Sequence, residues 1–251
     1  MIDLHSHILP GVDDGARTLI ESIEIARAAV HDGITVIAAT PHVRDDWPTE
    51  AGTMEERVAE VQEALAEAGI PLEVRRGGEL AVDWAGRLAV DELRRFGLGG
   101  SRYLLVETPY YGWPLDLGAV LLSLRDQGFV PVLAHPERNA EVQAESERLV
   151  PLVEAGVLVQ VTAASIDGRI GRRARDCGRR LIRAGLAHLL ASDAHHASVR
   201  AVGLAHAAGA VGDPALARWL TGDVPAAILD DAGLPPRPPT RGGWLARLRR
   251  A

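Results

Sequence analysis

Short apolar runs recur along this chain, each followed by a longer stretch with helical spacing, and that alternation constrains the fold more than any other feature. Residues 1–4, 34–39, 72–76, 103–106, 130–134, 157–161 and 187–191 form the runs, which are rich in Val, Ile, Leu and Ala and mostly do not alternate with polar residues. Strands that read this way are buried on both faces. Between them, residues 20–32, 54–68, 91–96, 117–127, 145–155, 172–184, 198–211 and 215–220 predict helices, the first two closed by Gly33 and Gly69. Parallel neighbours need a crossover where antiparallel ones need only a turn, so seven βα units predict an α/β fold on a parallel sheet, wound or closed into a barrel. The 251 residues are the usual size of one such barrel.

Residues 1–233 are read as that single unit. Residues 234–251, with four prolines and a glycine pair ahead of a basic Trp244-to-Ala251 stretch, predict a flexible Pro/Arg-rich tail. Its basic end suits a weak contact with an anionic membrane or a partner groove. No run approaches the roughly 18 apolar residues of a membrane span, and the first run is too short for a signal peptide. A net charge of -7 argues against nucleic acid as a partner. The single cysteine, Cys177, excludes an internal disulfide and a cysteine-rich metal site, which fits a cytoplasmic protein. All 27 basic residues are arginine, so Schiff-base chemistry and a Walker lysine are excluded as well.

What the strands carry at their ends points to chemistry. His5 and His7 stand two apart at the end of the first run, so an extended backbone turns both side chains to one face. His42, Glu79, Glu107, His135, Asp193 and His195 each fall just beyond a later run, and five of the nine histidines share this placement. In parallel βα architectures that edge gathers ligands and catalysts. Histidine and carboxylate without thiolate suit Mn²⁺, Fe²⁺ or Zn²⁺, and so many donors exceed what one ion can use. Two or three ions with bridging carboxylates would use them.

These residues resemble a known family. His5-x-His7, Asp13-Asp14-Gly15, Thr40-Pro41-His42, His135-Pro136-Glu137-Arg138 and Ser192-Asp193-Ala194-His195 are similar to the motifs of the polymerase and histidinol phosphatase (PHP) metallophosphoesterases. More narrowly, residues 3–15 resemble the start of the manganese-dependent protein-tyrosine phosphatases found with bacterial capsule and exopolysaccharide genes. The resemblance spans about residues 1–230. It implies a distorted (β/α)7 barrel of the PHP type with a metal site at the C-terminal ends of the strands. One ion would be held by His5, His7, Glu79 and Asp193. A second would share Glu79 and add Glu107 and His135, and a third would take Asp14, His42 and His195. Asp13 or Asp14 fits the acidic position, and Asp14 is preferred. Arg138 and Arg200 match the arginines that bind substrate phosphate, a role that a guanidinium fork suits.

The function implied is Mn²⁺-dependent hydrolysis of phosphotyrosine by water that the ions activate, on a partner such as the bacterial tyrosine kinase controlling polysaccharide export. A small-molecule phosphatase such as histidinol-phosphate phosphatase, or a metal-binding scaffold without catalysis, are the alternatives. Tyr110, Tyr111 and Trp113, after the Glu107 strand, either line an aromatic-accepting rim or pack over the mouth. The stretch from Cys177 to Arg183 also fits the C-x5-R spacing of cysteine-dependent tyrosine phosphatases. It lies in a predicted helix, where positions six apart are about 240° around the axis and cannot cradle one phosphate. Asp176 precedes the cysteine where those enzymes need histidine, and Ala184 follows the arginine where they need Ser or Thr.

Overall fold

The computed structural model describes residues 1–197 and 201–239. Among them, ten strands follow in chain order: β1 (Ile2–Ser6), β2 (Val36–Ala39), β3 (His42–Arg44), β4 (Trp47–Pro48), β5 (Glu73–Arg76), β6 (Glu79–Ala81), β7 (Tyr103–Glu107), β8 (Val130–Ala134), β9 (Leu158–Thr162) and β10 (Leu189–Ala191). They form an α/β fold with two sheets, one ordered β1-β2-β5 and the other β10-β9-β8-β7-β6-β3-β4. All the ladders are parallel except the β3–β4 hairpin. All seven predicted runs form strands, but their ladders do not make one continuous barrel sheet.

The interruption has a local cause. The chain passes from β2 to β3 across Thr40-Pro41, and Pro41 has no N–H to give to a ladder. Its carbonyl still accepts from Glu79 N at 3.0 Å, so the two sheets stay stitched at that point. The chain passes from β5 to β6 at Gly77-Gly78, level with that break. On the far side, Ser6 and Ala194 form a single parallel bridge beyond the end of β10. Asp193 N donates to His5 O and His7 N to Ala194 O, both at 2.8 Å. The end of β1 is thereby brought beside the end of β10.

Burial explains why the strands read as unbroken apolar runs: all five residues of β7 and of β9 are buried. Helix Leu19–His31 turns Ile25, Ala26 and Ala29 inward, and helix Ala51–Glu67 does so with Met54, Val61 and Leu65. The helix predicted at 145–155 is broken instead. Asn139 caps a short helix, Ala140–Ala144, a 3-10 turn covers Ser146–Leu149, and a new helix begins at Val150 with Pro151 near its start. Of the helix predicted at 198–211, the described part begins only at Leu204, after Gly203 with φ 114°.

The segment after residue 233 keeps contacts with the body as far as Arg237. Trp219 Nε1 donates to Pro235 O at 3.1 Å, and Arg237 donates to Ala187 O at 2.6 Å and to Ile182 O at 2.9 Å. Arg200 and the basic stretch from Trp244 lie outside the described residues. No helix among the described residues is long and apolar enough to cross a membrane.

Candidate metal centre

β1 alternates Asp3 and His5 onto one face, and the extended chain continues that face to His7. Asp3 Oδ1 accepts from Ser192 N at 2.9 Å, which fixes β1 against the chain leaving β10. His5 Nε2 then lies 3.3 Å from Glu79 Oε2 and 3.3 Å from Asp193 Oδ1. His7 Nε2 stands 3.4 Å and 3.2 Å from the same two oxygens, and 3.3 Å from His5 Nε2. Donors that share an ion at ~2.1 Å are themselves roughly 3.0–3.4 Å apart. Glu79 Oε2 also faces His42 Nδ1 at 2.9 Å, yet it makes no well-formed hydrogen bond among the described residues. The donors converge on shared space between them more than on one another.

Four overlapping groups of donors have their atoms within 4.8 Å of one another: His7, Asp14, His42 and His195; His5, His7 and Asp193; His5, Glu79 and His135; and His42, Glu79 and Glu107. All nine metal-site residues expected from the sequence are brought to this one place. The grouping differs from the implied one: His7 stands with Asp14, His42 and His195 as well as with His5 and Asp193, and Glu79 groups with His135 and with Glu107 separately. Glu107 falls with His42 and Glu79, while His135 falls with His5 and Glu79, at 2.7 Å from Glu79 Oε1.

The neighbouring acids divide into two roles. Asp13 Oδ2 accepts from His7 Nδ1 at 2.7 Å and from His42 N at 3.0 Å, and Asp13 Oδ1 accepts from Gly15 N at 2.9 Å. Asp14 Oδ1 instead faces His42 Nε2 at 3.4 Å and His195 Nε2 at 3.2 Å, with its side chain 41% exposed. Asp13 orients a ring from behind, and Asp14 looks into the cluster. The loop can fold this tightly over His7 only because residue 15 is glycine: a Cβ there would stand 2.2 Å from His7 O.

Gln160, on β9, does for His5 what Asp13 does for His7. Its Oε1 accepts from His135 N at 3.3 Å, and a backbone N–H is always a donor, which identifies that atom as the oxygen. His5 Nδ1, 3.1 Å from the same oxygen, must therefore carry its proton there. The Nε2 lone pair is left facing the cluster. Arg138 Nη2 donates to Asp193 Oδ2 at 2.6 Å, while its Nε has no hydrogen-bond partner among the described residues.

The electrostatics fit a cation. Burial would neutralise Glu79 and Asp193, but His5 and His42 hold the first, and Arg138 and His5 the second, well below the ordinary carboxylate range. Glu107 is pushed up to about 7, first by burial and then by the Glu79 charge. Burial opposes a charge on His42, yet Glu79 and Asp14 raise it to about 9. His135 is lowered to about 4 by burial and by Arg138. A positive ion among these groups would relieve the repulsion between the two glutamates. The backbone is strained at the same place: His135 (φ 33°) and Asp193 (φ 53°) are two of the three non-glycine residues with positive φ among those described.

Two contributors escape a motif reading. Arg44, 3.3 Å from Glu107 Oε2, is two residues after His42 on β3, and the period of a strand could have found it. The signal for Gln160 is a long polar side chain in the middle of the buried strand Leu158–Thr162.

Residues 1–215 match the family model described as capsular polysaccharide synthesis, CpsB/CapC. The chain belongs to the CpsB/CapC family. It is 38% identical over 203 residues to the tyrosine-protein phosphatase YwqE of Bacillus subtilis, covering 80% of this chain and 79% of that one. It is 27% identical over 215 residues to the tyrosine-protein phosphatase CpsB of Streptococcus agalactiae, with 82% and 88% covered. The fold superimposes with a TM-score of 0.85 and 34% identity on a crystal structure from a study of YwqE from B. subtilis and CpsB from Streptococcus pneumoniae, metal-dependent tyrosine phosphatases, covering 96% of this chain and 100% of the other. Membership in CpsB/CapC accords with the motifs at the strand ends and sets aside the cysteine-dependent alternative.

Proposed function

We propose that this chain is a metal-dependent tyrosine-protein phosphatase of capsular polysaccharide synthesis. The observation that carries the reading is the convergence of nine histidine and carboxylate side chains at one set of strand ends, in a member of a family whose named relatives are tyrosine-protein phosphatases. The strands are read as a distorted (β/α)7 barrel of the PHP type, with the Ser6–Ala194 bridge as the seam between first and last strands.

His5, His7, Glu79 and Asp193 would hold one ion, and Asp14, His42 and His195 another, with Glu107 and His135 extending the set through Glu79. Nitrogen and oxygen donors alone suit Mn²⁺, with Fe²⁺ or Zn²⁺ as alternatives. Such ions supply Lewis acidity toward phosphate oxygens and lower the pKa of water. The protein's part is to hold the donors in place. Asp13 and Gln160 fix the ring tautomers, and Arg138 fixes Asp193 while its remaining N–H groups and Arg200 meet the phosphate dianion. A phenolate leaving group, with a pKa near 10, needs little help from an acid, which favours tyrosine phosphate over an alkyl phosphate.

The substrate is proposed to be a tyrosine-phosphorylated protein, a bacterial kinase of polysaccharide export being the natural partner, and the place of action the cytoplasm. The relatives' names favour this reading over a histidinol-phosphate phosphatase. With Mn²⁺ present, a tyrosine-phosphorylated peptide should be hydrolysed with a higher kcat/KM than histidinol phosphate. The reverse preference would overturn the substrate assignment.

A further inference from the structure

A cleft of ≈ 530 Å³ opens beside Glu107, within the roughly 300–1,000 Å³ typical of small-ligand sites. We infer that it seats the phenyl ring of the phosphotyrosyl group, an assignment that rests on the phosphatase reading above and names the part of the substrate that the metal donors do not touch. Its inner end is the metal centre itself, since Glu107 lines it together with Arg44, 3.3 Å away. Its apolar walls are Val82, Pro109, Tyr110 and Pro114, and Asp83 and Asp116 line it as well. The Tyr110 ring stacks toward His135 with centroids 6.1 Å apart and planes at 26°, so this wall also begins at the cluster.

The chain order explains how walls and metal donors come together. β6 starts with Glu79 and runs directly into the helix Val82–Ala85, and β7 ends with Glu107 just before Pro109 and Tyr110. Each wall is therefore the continuation of a strand that brings a carboxylate to the cluster. A phosphate at the cluster places the next group of its ester in this cleft. For phosphotyrosine that group is a flat apolar ring, which buries well against two prolines, a valine and another ring. For phosphoserine it would be the peptide backbone, whose N–H and C=O groups would lose water against Val82, Pro109 and Pro114, whose side chains offer no hydrogen-bond partner.

The test is a pair of affinities that needs no turnover. Phenylphosphonate and methylphosphonate share the anionic head and differ in the ring, and calorimetry on the Mn²⁺-loaded protein compares them. The native chain should bind the phenyl compound about 10-fold more tightly. Val82→Trp fills the cleft from one wall and Tyr110→Ala removes the other. Each should bring the ratio to roughly one while methylphosphonate binding changes less than about twofold. A ratio near one in the native chain, or a ratio unchanged in both variants, would overturn the assignment. Melting curves establish that the variants fold, and the native ratio stands without them. Hydrolysis of a phosphotyrosyl peptide, measured separately, tests the phosphatase reading: aryl preference without hydrolysis would strike that reading and leave the ring's seat intact.

Discussion

The strand-end cluster and the helix Arg172–Ala184 both offer phosphatase chemistry in the sequence, and their central residues are equally buried, His5 at 0% and Cys177 at 1% exposure. What surrounds them differs. His5 has polar groups on every side: Gln160 behind it, and Glu79, Asp193 and His7 ahead. Cys177 packs in the apolar core, its Sγ 3.6 Å from Val142 O, and burial with the nearby Glu137 pushes the thiol up to about 11. A thiol so held is a poor nucleophile. Even the glycine after it is explained by packing, since a Cβ at Gly178 would stand 3.0 Å from Ile166 Cδ1 and 3.1 Å from Val161 Cγ1. Burial alone does not make a site; convergence of histidine and carboxylate side chains does.

Substitutions in the two regions should act differently. The largest expected effect is at the cluster: Glu79→Ala or Asp193→Asn should lower kcat by more than ~10³-fold and reduce metal content in elemental analysis. Next comes the ring tautomer. Gln160→Leu removes the acceptor of His5 Nδ1, and titration calorimetry should show metal affinity falling ~10–100-fold. Gln160→Glu retains an acceptor oxygen and should recover most of that affinity, which a purely structural role for the amide would not allow.

On the helix side the expected effects are on stability. His188, just beyond that helix, is held down to about 4 from an ordinary 6.5 by burial and by Arg237. Its neutral form is favoured in the folded protein, so its contribution is complete above pH 6.5 and is lost as the pH falls toward 4. The loss is roughly 2 kcal/mol after allowing for the partial exposure of the ring. Urea unfolding at successive pH values should show that slope reduced in His188→Gln. Smallest of all, Cys177→Ser should leave phosphatase activity within about twofold while costing about 1 kcal/mol of stability.

The sequence made the donors legible because a strand's period and the rule for parallel sheets are local properties. His5 and His7 share a face by spacing, and His42, Glu79, Glu107, His135 and Asp193 follow strand ends. The partners that tune them were not legible in the same way. Gln160 and His5 are 155 residues apart, and no periodicity links them. The interrupted ladder at Pro41 is visible as a residue type but not in its consequence, which depends on β6 lying alongside. Residue 135 illustrates the same limit: a residue before proline ordinarily prefers an extended backbone, and His135 is left-handed because the cluster over-determines it. The grouping of the donors is likewise a tertiary property, as the placement of Glu107 with His42 and Glu79 demonstrates.

The most direct test of the central claim is hydrolysis of a tyrosine-phosphorylated peptide before and after removal of metal by EDTA, with metal content determined on the same samples. Two or three bound ions per chain are expected, with loss of activity when the metal is removed and recovery on adding Mn²⁺. Undiminished hydrolysis by chain stripped of metal would contradict that claim.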